Sequence, residues 1–216
     1  MKIFLDTADI EQIGPAYDTG LIDGITTNPT LIRKSGRNPV EVIKEISKAF
    51  PDLTSISAEV VADSVEDMVE QAKTFTNFEN VTIKVPCTVE GLKACKDLTE
   101  RDFDVNVTLV FSTSQAILAA KAGAKYVSPF VGRWFDQSVD GIGLLKNIRK
   151  VYDHNFYATE ILAASIRDVN QVENAAVVGT DIVTIPPIVF WAMYKNVLTD
   201  KGLEQFQKDW DSIQGS

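Results

Sequence analysis

The rhythm of its apolar runs constrains this chain more than any other feature. Eight short strand-like segments alternate with longer helical patterns, and no Pro/Gly/Ser-rich linker or charge block divides them. The strand segments fall at 3–6, 24–27, 57–60, 81–85, 105–109, 126–129, 157–160 and 182–185. Helical spacing occupies 39–50, 64–74, 89–99, 112–122 and 142–153 between them. Asp-Ser-Val-Glu at 63–66 and Ser-Thr-Ser-Gln at 112–115 offer side chains able to cap a helix start. The connections are short, as βα units require. Eight such units predict an α/β fold, a single-domain parallel (β/α)8 TIM barrel over 1–216, near the lower end of the length range for that architecture. A doubly wound open sheet is the alternative, but no Gly-x-Gly-x-x-Gly follows the first strand. Beyond the eighth strand, C-terminal helices are expected at about 187–212. They carry Trp191, Phe206 and Trp210, more aromatic surface than a free terminus needs.

Side chains alternate across a strand, so each run has two faces. Ile3 and Leu5 oppose Phe4 and Asp6; Ile25 and Thr27 oppose Thr26 and Asn28; Ala58 and Val60 oppose Ser57 and Glu59. Val81, Ile83 and Val85 oppose Thr82 and Lys84, and Val105, Val107 and Leu109 oppose Asn106 and Thr108. Ser128 ends the sixth run, with Phe130 two residues on. In a barrel the apolar face packs under the helices, which turns the polar set into the lumen. The last inward residues then form a ring of Asp6, Asn28, Glu59, Lys84, Thr108 and Ser128. Barrel interiors are normally filled by bulky apolar groups, and polar groups at the C-terminal mouth mark a catalytic site. The competing reading is a hydrogen-bonded plug, which needs no amine and is less stable than an apolar one.

Within the ring, Lys84 is the residue least suited to its place. Val81-Thr82-Ile83-Lys84-Val85-Pro86 reads as a buried strand stopped by proline. A buried ammonium is either paired or pushed toward its neutral form, and a neutral amine forms Schiff bases with carbonyl substrates. A lysine snorkelling from a strand end is the ordinary alternative. Arg133 follows the sixth strand, and Ser165 and Arg167 follow the seventh. Loops after the later strands of a barrel commonly hold phosphate, whose oxygens match the arginine fork.

Other chemistries fare poorly. His154, the only histidine, precedes a strand and is expected to be an exposed loop residue; Cys87 and Cys95 have no ligand or redox spacing. Asp6 and Glu59 have a lysine between them instead of room for a cation, so no metal is expected. A net charge of −9 argues against a broad nucleic-acid surface but leaves space for a small anion pocket. Asp6 interrupts the N-terminal apolar run too early for a signal peptide, no run reaches membrane length, and nothing suggests a disulfide framework. A soluble cytoplasmic protein with no membrane or nucleic-acid partner is the expectation.

Phe4-Leu5-Asp6-Thr7-Ala8, Gly24-Ile25-Thr26-Thr27-Asn28-Pro29-Thr30-Leu31, Ile83-Lys84-Val85-Pro86, Ser128-Pro129-Phe130-Val131-Gly132-Arg133 and Ala164-Ser165-Ile166-Arg167 resemble the small transaldolases, a family that includes fructose-6-phosphate aldolases. The resemblance runs over essentially the whole chain. It implies a (β/α)8 barrel and a Schiff-base mechanism without cofactor, acting on sugar phosphates. In that scheme Lys84 attacks the ketose carbonyl and Asp6 is the general acid/base. Asn28 orients the intermediate, and Glu59 and Thr108 hold a proton-relaying water. Ser128 touches substrate hydroxyls, and Arg133, Ser165 and Arg167 bind phosphate. It also implies a homo-oligomer, a decamer of two pentamers, with C-terminal helices reaching a neighbour. Aldolase-type relatives are similar to one another in having glutamine, alanine and tyrosine where this chain has Glu59, Ser128 and Phe130, which places it on the transaldolase side. An aldolase releasing free dihydroxyacetone and a catalytically silent sugar-phosphate-binding barrel are the alternatives. Trp134-Phe135-Asp136-Gln137 and Asp168 depart from the family pattern around the two arginines.

Overall fold

The computed structural model describes residues 1–214. Its eight strands are β1 (Lys2–Asp6), β2 (Gly24–Thr26), β3 (Ser55–Glu59), β4 (Val81–Pro86), β5 (Val105–Val110), β6 (Tyr126–Pro129), β7 (Glu160–Ala163) and β8 (Ile182–Ile185). They pair in parallel in chain order, and β8 returns to β1, closing the barrel. The helices are α1 (Ile10–Tyr17), α2 (Pro29–Ser35), α3 (Pro39–Ala49), α4 (Val65–Lys73), α5 (Val89–Thr99) and α6 (Thr113–Lys121). They continue as α7 (Val131–Phe135), α8 (Gly141–Asn155), α9 (Val169–Val177), α10 (Pro187–Ala192) and α11 (Val197–Gln214). The (β/α)8 barrel with C-terminal helices is therefore present; the last two residues of the expected 1–216 domain lie outside the described residues. Both capping motifs act as caps: Ser64 Oγ accepts from Asp67 N and Ser112 Oγ from Gln115 N.

Two apolar clusters divide the interior. Leu5, Ile25, Ile56, Ile83, Val107, Val127, Ile161 and Val183 face outward and pack with helix residues such as Ile13, Ile46, Leu98 and Ile148. Phe4, Tyr126, Leu162, Ala164 and Ile182 form a second cluster within the lumen. The alternation read from the sequence holds on both sides of the sheet.

Two elements differ from expectation. The seventh strand is Glu160–Ala163, three residues beyond the predicted 157–160. Phe156 caps α8 in the left-handed region at φ 56°, and Tyr157 N donates back to Tyr152 O, so this stretch finishes the helix. The true strand shows no polar alternation, because Leu162 and Ala164 fill its inward face. His154 is exposed as predicted but lies in the last turn of α8 and not in a loop.

Phe4 fills the lumen because its neighbour has no side chain. Phe4 and Gly24 are register partners, and a Cβ on Gly24 would lie 2.7 Å from the Phe4 ring and 2.7 Å from Ser55 O. Gly24→Ala is expected to destabilise the barrel by about 1–3 kcal/mol through overpacking. Urea denaturation checks this, and an unchanged midpoint would show that the Phe4 ring does not occupy that space.

Candidate active site

Strand order and register bring the inward polar residues to one end of the barrel. Glu59 and Lys84 are direct partners across β3 and β4, and Lys84 and Asn106 across β4 and β5. Lys84 is 6% exposed, and its ammonium lies 2.9 Å from Glu59 Oε2 and 3.1 Å from Thr27 O. An acidic partner and a carbonyl thus surround a charge that burial alone would disfavour. Thr27 is held in turn by its own hydroxyl, which donates to Ser57 O at 2.7 Å.

Asp6 sits on the other side of the same mouth, at the end of β1. Thr26 Oγ1 donates to Asp6 Oδ1 at 2.7 Å and lies 2.5 Å from Thr184 Oγ1, so a hydroxyl chain runs from β8 through β2 to the carboxylate. The Asp6 pKa is raised above its ordinary 3.8; burial is the main cause, partly opposed by the Thr26 hydroxyl and the Lys84 charge. Sequence reasoning missed Thr26 and Thr184. Thr26 shares its inward face with Asn28, the one residue that strand contributes to the ring, and the eighth strand, which carries Thr184, contributes none.

Asn28 lies just past β2 and not within it. Its Oδ1 accepts from Leu31 N at 3.0 Å, capping α2. Thr108 occupies an irregularity: β5 shifts register against β6 between Val107 and Val110, and Leu109 adopts φ 58°. One extra residue there re-aims Thr108, as bulges beside sites commonly do. Its Oγ1 is buried with no hydrogen-bond partner among the described residues. Ser128 Oγ donates to Asn106 Oδ1 at 2.7 Å.

The cationic side is built by α7 and the loop after β7. Phe130 bridges to Ala164, and the Arg133 guanidinium lies 5.1 Å from the Phe130 ring centroid. Ser165 takes φ 61°, and its carbonyl comes so close to Gly132 that a Cβ there would be 1.9 Å away. Arg167 Nη2 donates to Asp136 Oδ2 at 2.7 Å. All ten residues singled out from the sequence line one cavity of about 480 Å³: Asp6, Asn28, Glu59, Lys84, Thr108, Ser128, Phe130, Arg133, Ser165 and Arg167. Thr26, Leu109, Leu162, Ala164 and Thr184 line it as well. Among the described residues no group of three or more His, Cys, Asp or Glu could hold a metal ion, and no helix is long and apolar enough to cross a membrane.

The family model "Transaldolase/Fructose-6-phosphate aldolase" matches residues 3–216. The chain belongs to the transaldolase/fructose-6-phosphate aldolase family. A probable transaldolase of Caulobacter vibrioides is 53% identical over 98% of this chain and 97% of its own length. Those of Sinorhizobium medicae and Paracoccus denitrificans are each 52% identical over 97% of this chain and 96% of theirs. The resemblance drawn from the motifs is thus a family membership, and a transaldolase-type enzyme is the activity class that goes with it.

The buried Asp6 carboxylate has a stability consequence. Between 3.8 and its raised native value the unfolded chain has lost a proton that the native state keeps, so stability falls as pH rises through that window. Asp6→Asn keeps an acceptor for Thr26 and removes the charge. The variant is expected to melt higher than the parent at pH 7, with the gain vanishing below pH 3.8. Melting curves across that range test it; a variant less stable than the parent at pH 7 would mean that Lys84 holds the carboxylate more strongly than burial disfavours it.

Proposed function

We propose that this chain is a class I transaldolase, a single-domain cytoplasmic enzyme of the pentose phosphate pathway that needs no cofactor. It moves a dihydroxyacetone unit from sedoheptulose 7-phosphate to glyceraldehyde 3-phosphate, giving erythrose 4-phosphate and fructose 6-phosphate. One observation carries the reading: a buried amine 2.9 Å from a carboxylate, in a cavity that also holds two arginines.

Glu59 Oε2 is the nearest acceptor for the proton that Lys84 must lose before it attacks. The amine adds to the ketose carbonyl carbon, and the resulting carbinolamine loses its hydroxyl as water to give the Schiff base. Glu59 and the unpartnered Thr108 hydroxyl hold the water that relays these protons. Asp6 then takes the proton of the hydroxyl on the fourth carbon. The bond to the third carbon breaks, its electrons enter the Schiff base as an enamine, and an aldehyde leaves. A carboxylate with a raised pKa is better matched to giving that proton back when a second aldehyde adds. Because Asn28 Oδ1 caps α2, its amide hydrogens are the donors left to orient the intermediate. Ser128 meets substrate hydroxyls, and Arg133, Ser165 and Arg167 hold phosphate.

Glu59, Ser128 and Phe130 favour transfer over release of free dihydroxyacetone. Phe130 has no proton to donate to the enamine carbon, so the three-carbon unit waits for an acceptor. The exposed apolar stripe of α11 (Leu203, Phe206, Trp210 and Ile213) supports a homo-oligomer, a decamer of two pentamers as in the family, with α11 docked on a neighbour.

Lys84→Met is expected to abolish turnover while leaving the circular dichroism spectrum intact. Borohydride with fructose 6-phosphate should fix mass on Lys84 in the parent and none in the variant; an adduct in the variant would move the nucleophile elsewhere. Asp6→Asn is expected to slow cleavage about 100- to 10,000-fold, the usual worth of a positioned acid/base. Coupled assays with and without erythrose 4-phosphate separate transfer from release, and Phe130→Tyr should shift the ratio toward release. Equal rates in the parent with and without acceptor would favour the aldolase reading. Phe206→Asp with Trp210→Asp should lower the mass measured by light scattering, and an unchanged mass would exclude α11 from the assembly.

A further inference from the structure

Beside the arginine side of the cavity, bonded to one of its lining residues, stands a carboxylate that the transfer mechanism does not use. Asp136 caps α7 one turn after Arg133, and its Oδ2 accepts from Arg167 Nη2 at 2.7 Å. The contact is not a chance meeting of two free surface groups. The Arg167 stem lies along Gly132, where a Cβ would be 3.0 Å from both Cγ and Nε, and this path delivers the guanidinium to Asp136. Arg133, by contrast, stands over Phe130. One of the two arginines lining the cavity is therefore already held by a carboxylate that carries the same sign of charge as a phosphate. Both side chains are about half exposed, so the pair is weak enough to be exchanged.

We infer that Asp136 is a specificity-determining residue: it competes with the substrate phosphate for Arg167 and so limits how tightly phosphorylated sugars bind. The inference rests on the phosphate reading of Arg167 given above. A phosphate approaching the guanidinium either displaces Asp136 or binds beside it, and in both cases it meets a repelling charge a few ångströms away. Removing that charge leaves all five N–H donors of the fork to the incoming anion.

The test is calorimetric titration of inorganic phosphate and of fructose 6-phosphate into the full-length parent, Asp136→Asn, Arg167→Gln and the double variant. Competition predicts that Asp136→Asn binds both ligands about three- to tenfold tighter, the combined effect of losing a half-exposed pair and a nearby like charge. Misfolding cannot produce a gain of this kind. The gain should disappear in the Arg167→Gln background, because there is then nothing to compete for. Unchanged or weaker binding by Asp136→Asn overturns the inference and makes Asp136 a support for Arg167. A gain that persists without Arg167 also overturns it, leaving only a general charge effect. If Arg167→Gln binds both ligands as tightly as the parent, the phosphate reading of Arg167 fails, and the inference falls with it. If Arg167→Gln weakens binding while Asp136→Asn does not strengthen it, the inference fails alone.

Discussion

The ion pair between Lys84 and Glu59 organises the upper half of this barrel. A lysine on the inward face of β4 is buried, so its charge must be met inside. Glu59 meets it directly across the β3–β4 ladder and the Thr27 carbonyl completes the contact. Removing one member of such a pair typically costs about 3–5 kcal/mol, because the other is left buried and unpaired. That requirement spreads outward: Thr27 must be tied down by Ser57, β2 must end early enough to present a carbonyl, and Asp6 needs its own donor in Thr26. Below this layer Phe4, Tyr126, Leu162 and Ile182 supply the apolar filling that a barrel normally has throughout.

The fold was legible because its signal is redundant. Each strand repeats the same alternation, so misplacing the seventh by three residues changed neither the count nor the closure. The ring of polar groups was legible for the same reason, since a polar residue at an inward position breaks an otherwise apolar pattern. What escaped notice lacked that contrast. Leu162 and Ala164 line the cavity yet look like ordinary core, and Thr184 on β8 resembles any β-branched strand residue. The Leu109 bulge and the left-handed Ser165 leave no trace in hydropathy, because any local pattern permits them and only the packing of neighbouring loops demands them. The pairing of Arg167 with Asp136 joins residues 31 apart on different loops, a separation no periodicity reports.

Stability and chemistry pull in opposite directions at Asp6. The environment that raises its pKa also penalises its charged form, so the group proposed to exchange a proton is destabilised in the native state once it is ionised. Unpartnered polar atoms add to the same tension. Ser57 Oγ, Asn106 Nδ2 and Thr108 Oγ1 are buried on neighbouring inward positions without partners among the described residues. An apolar barrel top would be more stable and would have nothing with which to hold a polyhydroxylated substrate.

The close approach of Gly132 to the Ser165 carbonyl makes the joint between α7 and the β7 loop a main-chain contact. The separation of the main-chain positions that carry Arg133 and Arg167 is consequently set by backbone against backbone. Substitutions that leave this main-chain contact in place keep the two loops at the same separation, while Asp136 and Phe130 still direct the guanidinium groups they touch. Under the proposed function, the affinity for the anionic end of a substrate becomes adjustable separately from the lysine chemistry, with Gly132 a position in this joint that evolution cannot enlarge.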